Sequence, residues 1–149
     1  PERRCYAPSL FYQVLGEEYI KLAFRVAAEA DPAAKLYYND YGIRPDSPKT
    51  AGVRLLVRML KRAGVLIDGV SMQADLHADN HPSAAELVAT MRGYAPVVDE
   101  VTFSELDVRI NLPVDAHNLA CRRECYKKVV TACGAVKKCV GMTVWGSRG

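Results

Sequence analysis

Four short, largely apolar runs, each finishing in polar side chains and each separated from the next by a segment of helical period, constrain this chain more than anything else in it. The runs cover residues 35–41, 69–76, 101–108 and 139–145. Tyr12, Leu15, Tyr19, Leu22 and Val26 mark one face of a long first helix that stops at the Asp31-Pro32 pair. Val53, Leu56, Val57 and Leu60 mark a second helix, ended by Gly64. Residues 83–94 form a third, with Ser83 as N-cap and Glu86 in capping-box position, and residues 116–132 a fourth. Strands joined through helices of about ten residues or more cannot be hairpin partners, so they form a parallel sheet with helical crossovers.

Two α/β architectures use that pattern, a doubly wound sheet and a (β/α)8 barrel. No glycine-rich phosphate loop follows any of the runs, which weighs against the nucleotide-binding sheet. The polar run ends favour the barrel. The first finishes Asn39-Asp40-Tyr41, the second Gln73-Ala74-Asp75, the third Glu105-Leu106-Asp107 and the fourth Trp145-Gly146. Residues two apart on a strand share a face. Asn39 with Tyr41, Gln73 with Asp75, and Glu105 with Asp107 should therefore form same-face pairs that converge on one mouth. Barrel enzymes carry their chemistry at the C-terminal strand ends, whereas burying unpaired carboxylates inside the sheet would be costly.

Composition excludes several classes. At 149 residues the chain suits one domain rather than two, and its 50% hydrophobic and 25% charged content is that of a globular protein. No stretch approaches the roughly 20 apolar residues of a membrane helix. The net charge is only +3, and its densest basic run, Arg122-Arg123 with Lys127-Lys128, is interrupted by Glu124 and lacks interleaved aromatics. That run reads as a solvated helix face, not a nucleic-acid surface. The opening Pro1-Glu2-Arg3-Arg4 lacks an initiator methionine and points to a processed or partial product.

There are five cysteines, Cys5, Cys121, Cys125, Cys133 and Cys139. Cys133 and Cys139 flank a short loop, so a bridge between them would close a tight helix-to-strand turn. No CxxC pair occurs and no histidine is taken to stand at ligand spacing nearby, so no metal site is expected. A secreted protein with one bridge and spare thiols is the reading that follows.

Particular residues then make the chain resemble a known family. Residues 11–20 (FYQVLGEEYI) and 30–41 (ADPAAKLYYNDY) resemble the fourth helix and fifth strand of the family 10 endo-β-1,4-xylanases. Ile67-Asp68-Gly69-Val70 followed by Gln73 resembles the sixth strand, Ser104-Glu105-Leu106-Asp107 the T-E-L-D nucleophile strand, and residues 133–146 the eighth strand. The resemblance runs nearly end to end in the family's order. It implies a TIM-type (β/α)8 barrel, of which this chain, as one partial catalytic domain, would cover roughly strands 5 to 8. It also implies a retaining endo-β-1,4-xylanase that needs no cofactor, takes xylan or xylo-oligosaccharides and works outside the cell. Glu105 would be the nucleophile, with Asn39, Tyr41 and Gln73 lining the cleft and Trp145 flooring a sugar. Cys133–Cys139 would be a disulfide found in fungal members.

The chain departs from the family pattern in two ways. The acid/base glutamate belongs to a W-D-x-x-N-E motif upstream of the first helix, which this sequence does not contain; Glu17, Glu18 and Glu86 lie in helical patterns remote from the mouth. Asp75 stands where the family has a histidine that contacts the nucleophile and the T-E-L-D aspartate, here Asp107. A third carboxylate at that place is expected to crowd Glu105. His77, two residues further on, is a candidate replacement, while His81 and His117 read as loop residues without a role. The alternatives are an inactive xylan-binding or structural remnant, and two half-barrels associating to close the sheet.

Overall fold

A computed structural model describes residues 6–42 and 47–146. Its elements are α1 (Leu10–Leu15), α2 (Glu18–Ala30), β1 (Tyr37–Asp40), α3 (Pro48–Arg62), β2 (Gly69–His77), α4 (Ala84–Tyr94), β3 (Glu100–Arg109), α5 (Ala116–Gly134) and β4 (Cys139–Val144). The four strands form one parallel sheet in the order β1-β2-β3-β4. A doubly wound sheet reverses its strand order partway; strictly sequential order with a helix in each crossover is the barrel arrangement.

The helices begin and stop for local reasons. Ser83 accepts the N–H of Glu86 while the Glu86 carboxylate accepts the N–H of Ser83, the reciprocal cap expected from sequence. Ser47 and Asp115 cap α3 and α5 with their side chains, which accept the N–H groups of Thr50 and Asn118. Gly64 ends α3 with φ +66°, a conformation glycine reaches without strain.

The first helix differs from expectation. Gly16, at φ +60°, breaks it into α1 and α2. Of the expected face Tyr19 packs against the core, but Leu15, Leu22 and Val26 are 43–52% exposed, and α2 also turns Ile20 and Phe24 onto the core. The helix is apolar on more than one side.

Val70, Met72, Val101, Phe103 and Leu106 of the sheet pack with Val57 and Leu60 of α3, Met91 and Tyr94 of α4, and Val129 of α5 in one cluster. Burial of this kind contributes about 1.5–3 kcal/mol per large apolar side chain. A disulfide joins Cys133, near the end of α5, to Cys139, which opens β4. The outer strands β1 and β4 each have a single strand neighbour among the described residues. Phe11, Val26, Val140, Val144 and Trp145 are more than half exposed, leaving apolar surface around these edges. No helix among the described residues is long and apolar enough to cross a membrane.

Candidate active site

The site is organised by an irregularity in β3. Between Gln73 and Asp75 of β2 the chain advances two residues, while the paired stretch of β3 advances three, from Ser104 to Asp107. The same extra residue appears against β4, where Phe103 pairs with Met142 and Leu106 with Val144. This is a β-bulge, and Glu105 within it has φ +52°. For a residue with a Cβ that left-handed conformation costs about 1–3 kcal/mol.

The bulge turns two consecutive side chains to the same inner side. Ser104 donates its hydroxyl to Oδ1 of Asn39 at 2.6 Å. That contact fixes the Asn39 amide, whose Nδ2 donates to Glu105 Oε1 at 3.0 Å. Gln73 Nε2 reaches the same oxygen at 3.0 Å. Amides from the two preceding strands thus hold one carboxylate oxygen of the third, and no donor among the described residues reaches Oε2. Thr143 of β4 accepts the Glu105 backbone N–H at 3.4 Å.

Asn39, Gln73 and Glu105 therefore converge as the sequence predicts. Glu105 and Asp107 do lie on one face, but through a bulge that also admits Ser104, not through regular alternation. Ser104 and Thr143 were missed by the sequence reading. Small hydroxyl residues on strands carry no signal of their own, and only the bulge gives Ser104 its contact.

Tyr41 is not part of this network. It lies just past β1, 66% exposed, with Lys49 Nζ 3.6 Å from its ring centroid, and it lines a hollow with Tyr38 and Lys49. The short β1 explains this: the predicted strand of residues 35–41 loses both ends, and alternation does not extend to Tyr41. Trp145, 63% exposed, lies one residue beyond β4, and its N–H donates to the Leu106 carbonyl at 3.0 Å. Its indole face is open to solvent beside the bulge.

The expected crowding by Asp75 is not what the structure contains. Asp75 and Asp107 are register partners, but the Asp75 carboxylate is gripped by Arg109, with Nε to Oδ1 and Nη2 to Oδ2 both at 3.1 Å. Arg109 lies two residues beyond Asp107 on the same face, a cation the sequence reading overlooked. Nor does His77 turn to Glu105. Its Nε2 contacts Asn111 Oδ1 at 3.3 Å and its Nδ1 accepts the Asp79 N–H at 3.2 Å, so the turn after β2 holds it. Glu17 and Glu18 stand at the start of α2, Glu18 paired to Lys21 at 2.6 Å, and Glu86 serves the α4 cap.

One other correction concerns the histidines and cysteines. His117 is not a loop residue: it is the second residue of α5, one turn before Cys121, and their Nε2 and Sγ atoms are 3.6 Å apart. A histidine does stand at ligand spacing from a cysteine.

Known proteins resemble this chain in sequence and in fold. Endo-1,4-beta-xylanase A of Humicola insolens is 51% identical over 140 residues, which are 94% of this chain and 37% of that protein. Endo-1,4-beta-xylanase A of Fusarium oxysporum f. sp. lycopersici is 40% identical over 148 residues, 95% of this chain and 45% of its own length. The chain thus spans about two fifths of the curated relatives it matches. The solved Penicillium canescens endo-1,4-beta-xylanase superposes with a TM-score of 0.88 at 35% identity, over 98% of this chain and 46% of its own. A family 10 xylanase from a Bispora species, solved with xylobiose, superposes with a TM-score of 0.87 at 34% identity, over 95% and 44%. The sequence pattern of glycosyl hydrolase family 10 spans residues 2–149, and with the parallel half-barrel and these relatives, it means that the chain belongs to glycosyl hydrolase family 10.

Proposed function

We propose that this chain is part of the catalytic domain of a retaining endo-β-1,4-xylanase, with Glu105 as its nucleophile. The observation that carries the proposal is the Glu105 carboxylate, fixed through Oε1 by Asn39 and Gln73 at the C-terminal end of the sheet. In retaining hydrolysis one carboxylate attacks the anomeric carbon and forms a glycosyl-enzyme. A second, about 5–5.5 Å away, protonates the leaving oxygen and then activates water. The amide donors leave Oε2 for the attack and fix its direction, which is how positioning lowers a barrier. Ser104 acts through Asn39, holding its amide the right way round. Trp145 offers an aromatic face to the apolar side of a pyranose, and Asn39 and Tyr41 extend along the cleft.

The acid/base carboxylate is assigned to chain upstream of α1, as the family resemblance implies. Glu17, Glu18 and Glu86 are engaged at helix starts, and Asp75 is paired with Arg109. The substrates are xylan and xylo-oligosaccharides, and secretion fits both the fungal relatives and the Cys133–Cys139 bridge.

The test compares this chain with a version extended upstream through a W-D-x-x-N-E segment. Reducing sugar released from xylan only by the longer form is the expected result. Release by the short chain would refute the assignment of the acid, and none from either would favour the remnant reading. Calorimetric titration with xylo-oligosaccharides then separates a sugar-binding remnant from a purely structural one. Two half-barrels pairing through the open β1 and β4 edges is the competing arrangement; sedimentation as a monomer removes it.

A further inference from the structure

Away from Glu105, three side chains of different chemistry converge where the turn after β2 meets the start of α5. Asp79 belongs to that turn, while His117 and Cys121 are four residues apart on α5 and so share one helix face. One ligand atom from each lies within 4.8 Å of the other two. We propose that Asp79, His117 and Cys121 form a binding site for a borderline divalent transition metal ion, zinc being the best chemical fit, with its fourth position open to solvent.

The geometry is already close to what such an ion needs. A tetrahedral zinc with Zn–S of about 2.3 Å and Zn–N of about 2.0–2.1 Å holds its sulfur and nitrogen ligands roughly 3.6 Å apart. His117 Nε2 and Cys121 Sγ are 3.6 Å apart. The carboxylate of Asp79 brings an oxygen within 4.8 Å of both. One thiolate, one imidazole and one carboxylate is a mixed donor set that suits zinc or cobalt, whereas calcium and magnesium demand oxygen throughout. The anionic carboxylate and thiolate together neutralise a +2 ion, which matters because the N-terminal end of α5 is itself electropositive.

The surrounding contacts hold these ligands in place, as outer partners do in metal sites. Asn111 donates from Nδ2 to Asp79 Oδ2 at 3.0 Å and contacts His77 Nε2 through Oδ1 at 3.3 Å. His77 in turn accepts the Asp79 N–H at 3.2 Å, so a single asparagine ties the turn together. Asp115 caps the helix that carries His117, and Asn118 donates to the Asn111 and Pro113 carbonyls at 3.3 and 3.4 Å. Both halves of the site are thereby tied to the segment between β3 and α5. An ion here would clamp the β2 turn to α5 next to the mouth of the sheet.

Titration of the full chain with Co2+, its disulfide intact, reads the site directly. A thiolate-to-cobalt charge-transfer band with tetrahedral visible bands, saturating at one ion per chain and displaced by Zn2+, is the expected result. Cys121→Ser should abolish the charge-transfer band. His117→Ala and Asp79→Ala should each weaken Co2+ binding by about tenfold or more, and Asn111→Ala by about 10–100-fold. Asp79 and His117 are exposed and Cys121 half-buried, so the fold tolerates these changes, and unchanged far-ultraviolet circular dichroism verifies it. Cys125 is buried, and burial pushes its thiol up, so Cys125→Ser should leave the band in place. Absence of the band at saturating Co2+, its survival in Cys121→Ser, or indifference to His117→Ala overturns the proposal.

Discussion

The two ends of the sheet use the same residue types to opposite effect. At the end where the strands begin, every contact closes something. Asp68 accepts the Leu36 N–H at 2.8 Å and the Lys35 ammonium at 3.3 Å, and Glu100 takes the Tyr37 hydroxyl and the same lysine. Lys138 inserts its ammonium between the carbonyls of Ala95 and Val98, at 2.7 Å from each. At the other end, Glu105 has uncharged amides on one oxygen, a strained backbone and an open side. Carboxylates at the first end are saturated by cations and hydroxyls and hold strands together. The carboxylate at the second is positioned but not neutralised, which is what a nucleophile requires. Barrels in general divide stability and chemistry between their two faces in this way.

Breaking each end in turn sharpens the contrast, and the largest effect belongs to Glu105. In the upstream-extended enzyme, Glu105→Ala and Glu105→Gly should both lower xylan hydrolysis by about 10⁴-fold or more. Stability should move differently. At φ +52° a side chain carries strain that glycine does not, so the glycine variant should resist urea better than the alanine variant by about 0.5–1 kcal/mol. An alanine variant as stable as the glycine one would show that the bulge stores no strain.

The opposite result is expected at Gly69, where β2 begins. A Cβ there would stand 2.4 Å from Tyr37 Cε1 and 2.7 Å from the Glu100 carbonyl oxygen. Backbone on one side and a ring pinned by Glu100 on the other leave little room to give. Gly69→Ala should cost about 1–3 kcal/mol by urea denaturation, with turnover per folded molecule unchanged.

How much of this was legible in the sequence follows the same division. Element type and order were readable because strand runs and helical stripes have different periods, and because Ser83 with Glu86 announces a helix start. The convergence of Asn39, Gln73 and Glu105 was readable because parallel strands in sequence order must bring their ends together. The bulge was not readable: Ser104-Glu105-Leu106-Asp107 contains no glycine where φ becomes positive, since the neighbouring strands impose that conformation. The break at Gly16 was not readable either, because the apolar period runs straight through it. Arg109 was missed as the partner of Asp75 because the two are 34 residues apart and only register brings them together. His117 stands one turn before Cys121 inside the helix read over residues 116–132, and taking it for a loop residue hid that spacing.

High pH tests the closed end and the core beneath it. The Tyr37 hydroxyl is pushed up to about 12 by burial and by its bond to Glu100, and burial, partly offset by Thr50 and Arg54, pushes Tyr94 to about 12. Both bind their protons more tightly in the folded chain than in the unfolded one, where tyrosine titrates near about 10. The fold therefore keeps this contribution below pH of about 10 and loses it as pH rises towards about 12. Ultraviolet titration should show a late group of tyrosines ionising together with loss of circular dichroism. Tyr37→Phe should lessen the pH dependence of unfolding in that window; an unchanged slope would remove Glu100–Tyr37 from the account.

The smallest effect falls on a charged pair that belongs to the open end. Asp75 and Arg109 make two contacts at 3.1 Å, but their side chains are 57% and 63% exposed, so the pair contributes only about 0.2–1 kcal/mol and less in high salt. Its importance is for Glu105. If Arg109 cancels the Asp75 charge beside the mouth, Arg109→Ala in the upstream-extended enzyme should lower turnover by up to about fivefold, and adding Asp75→Ala should restore it. Asp75→His alone should then change turnover little, since the carboxylate it removes was already neutralised. A large gain from Asp75→His would mean that Arg109 fails to shield Asp75, and the open end would then owe its weakness to a carboxylate of its own.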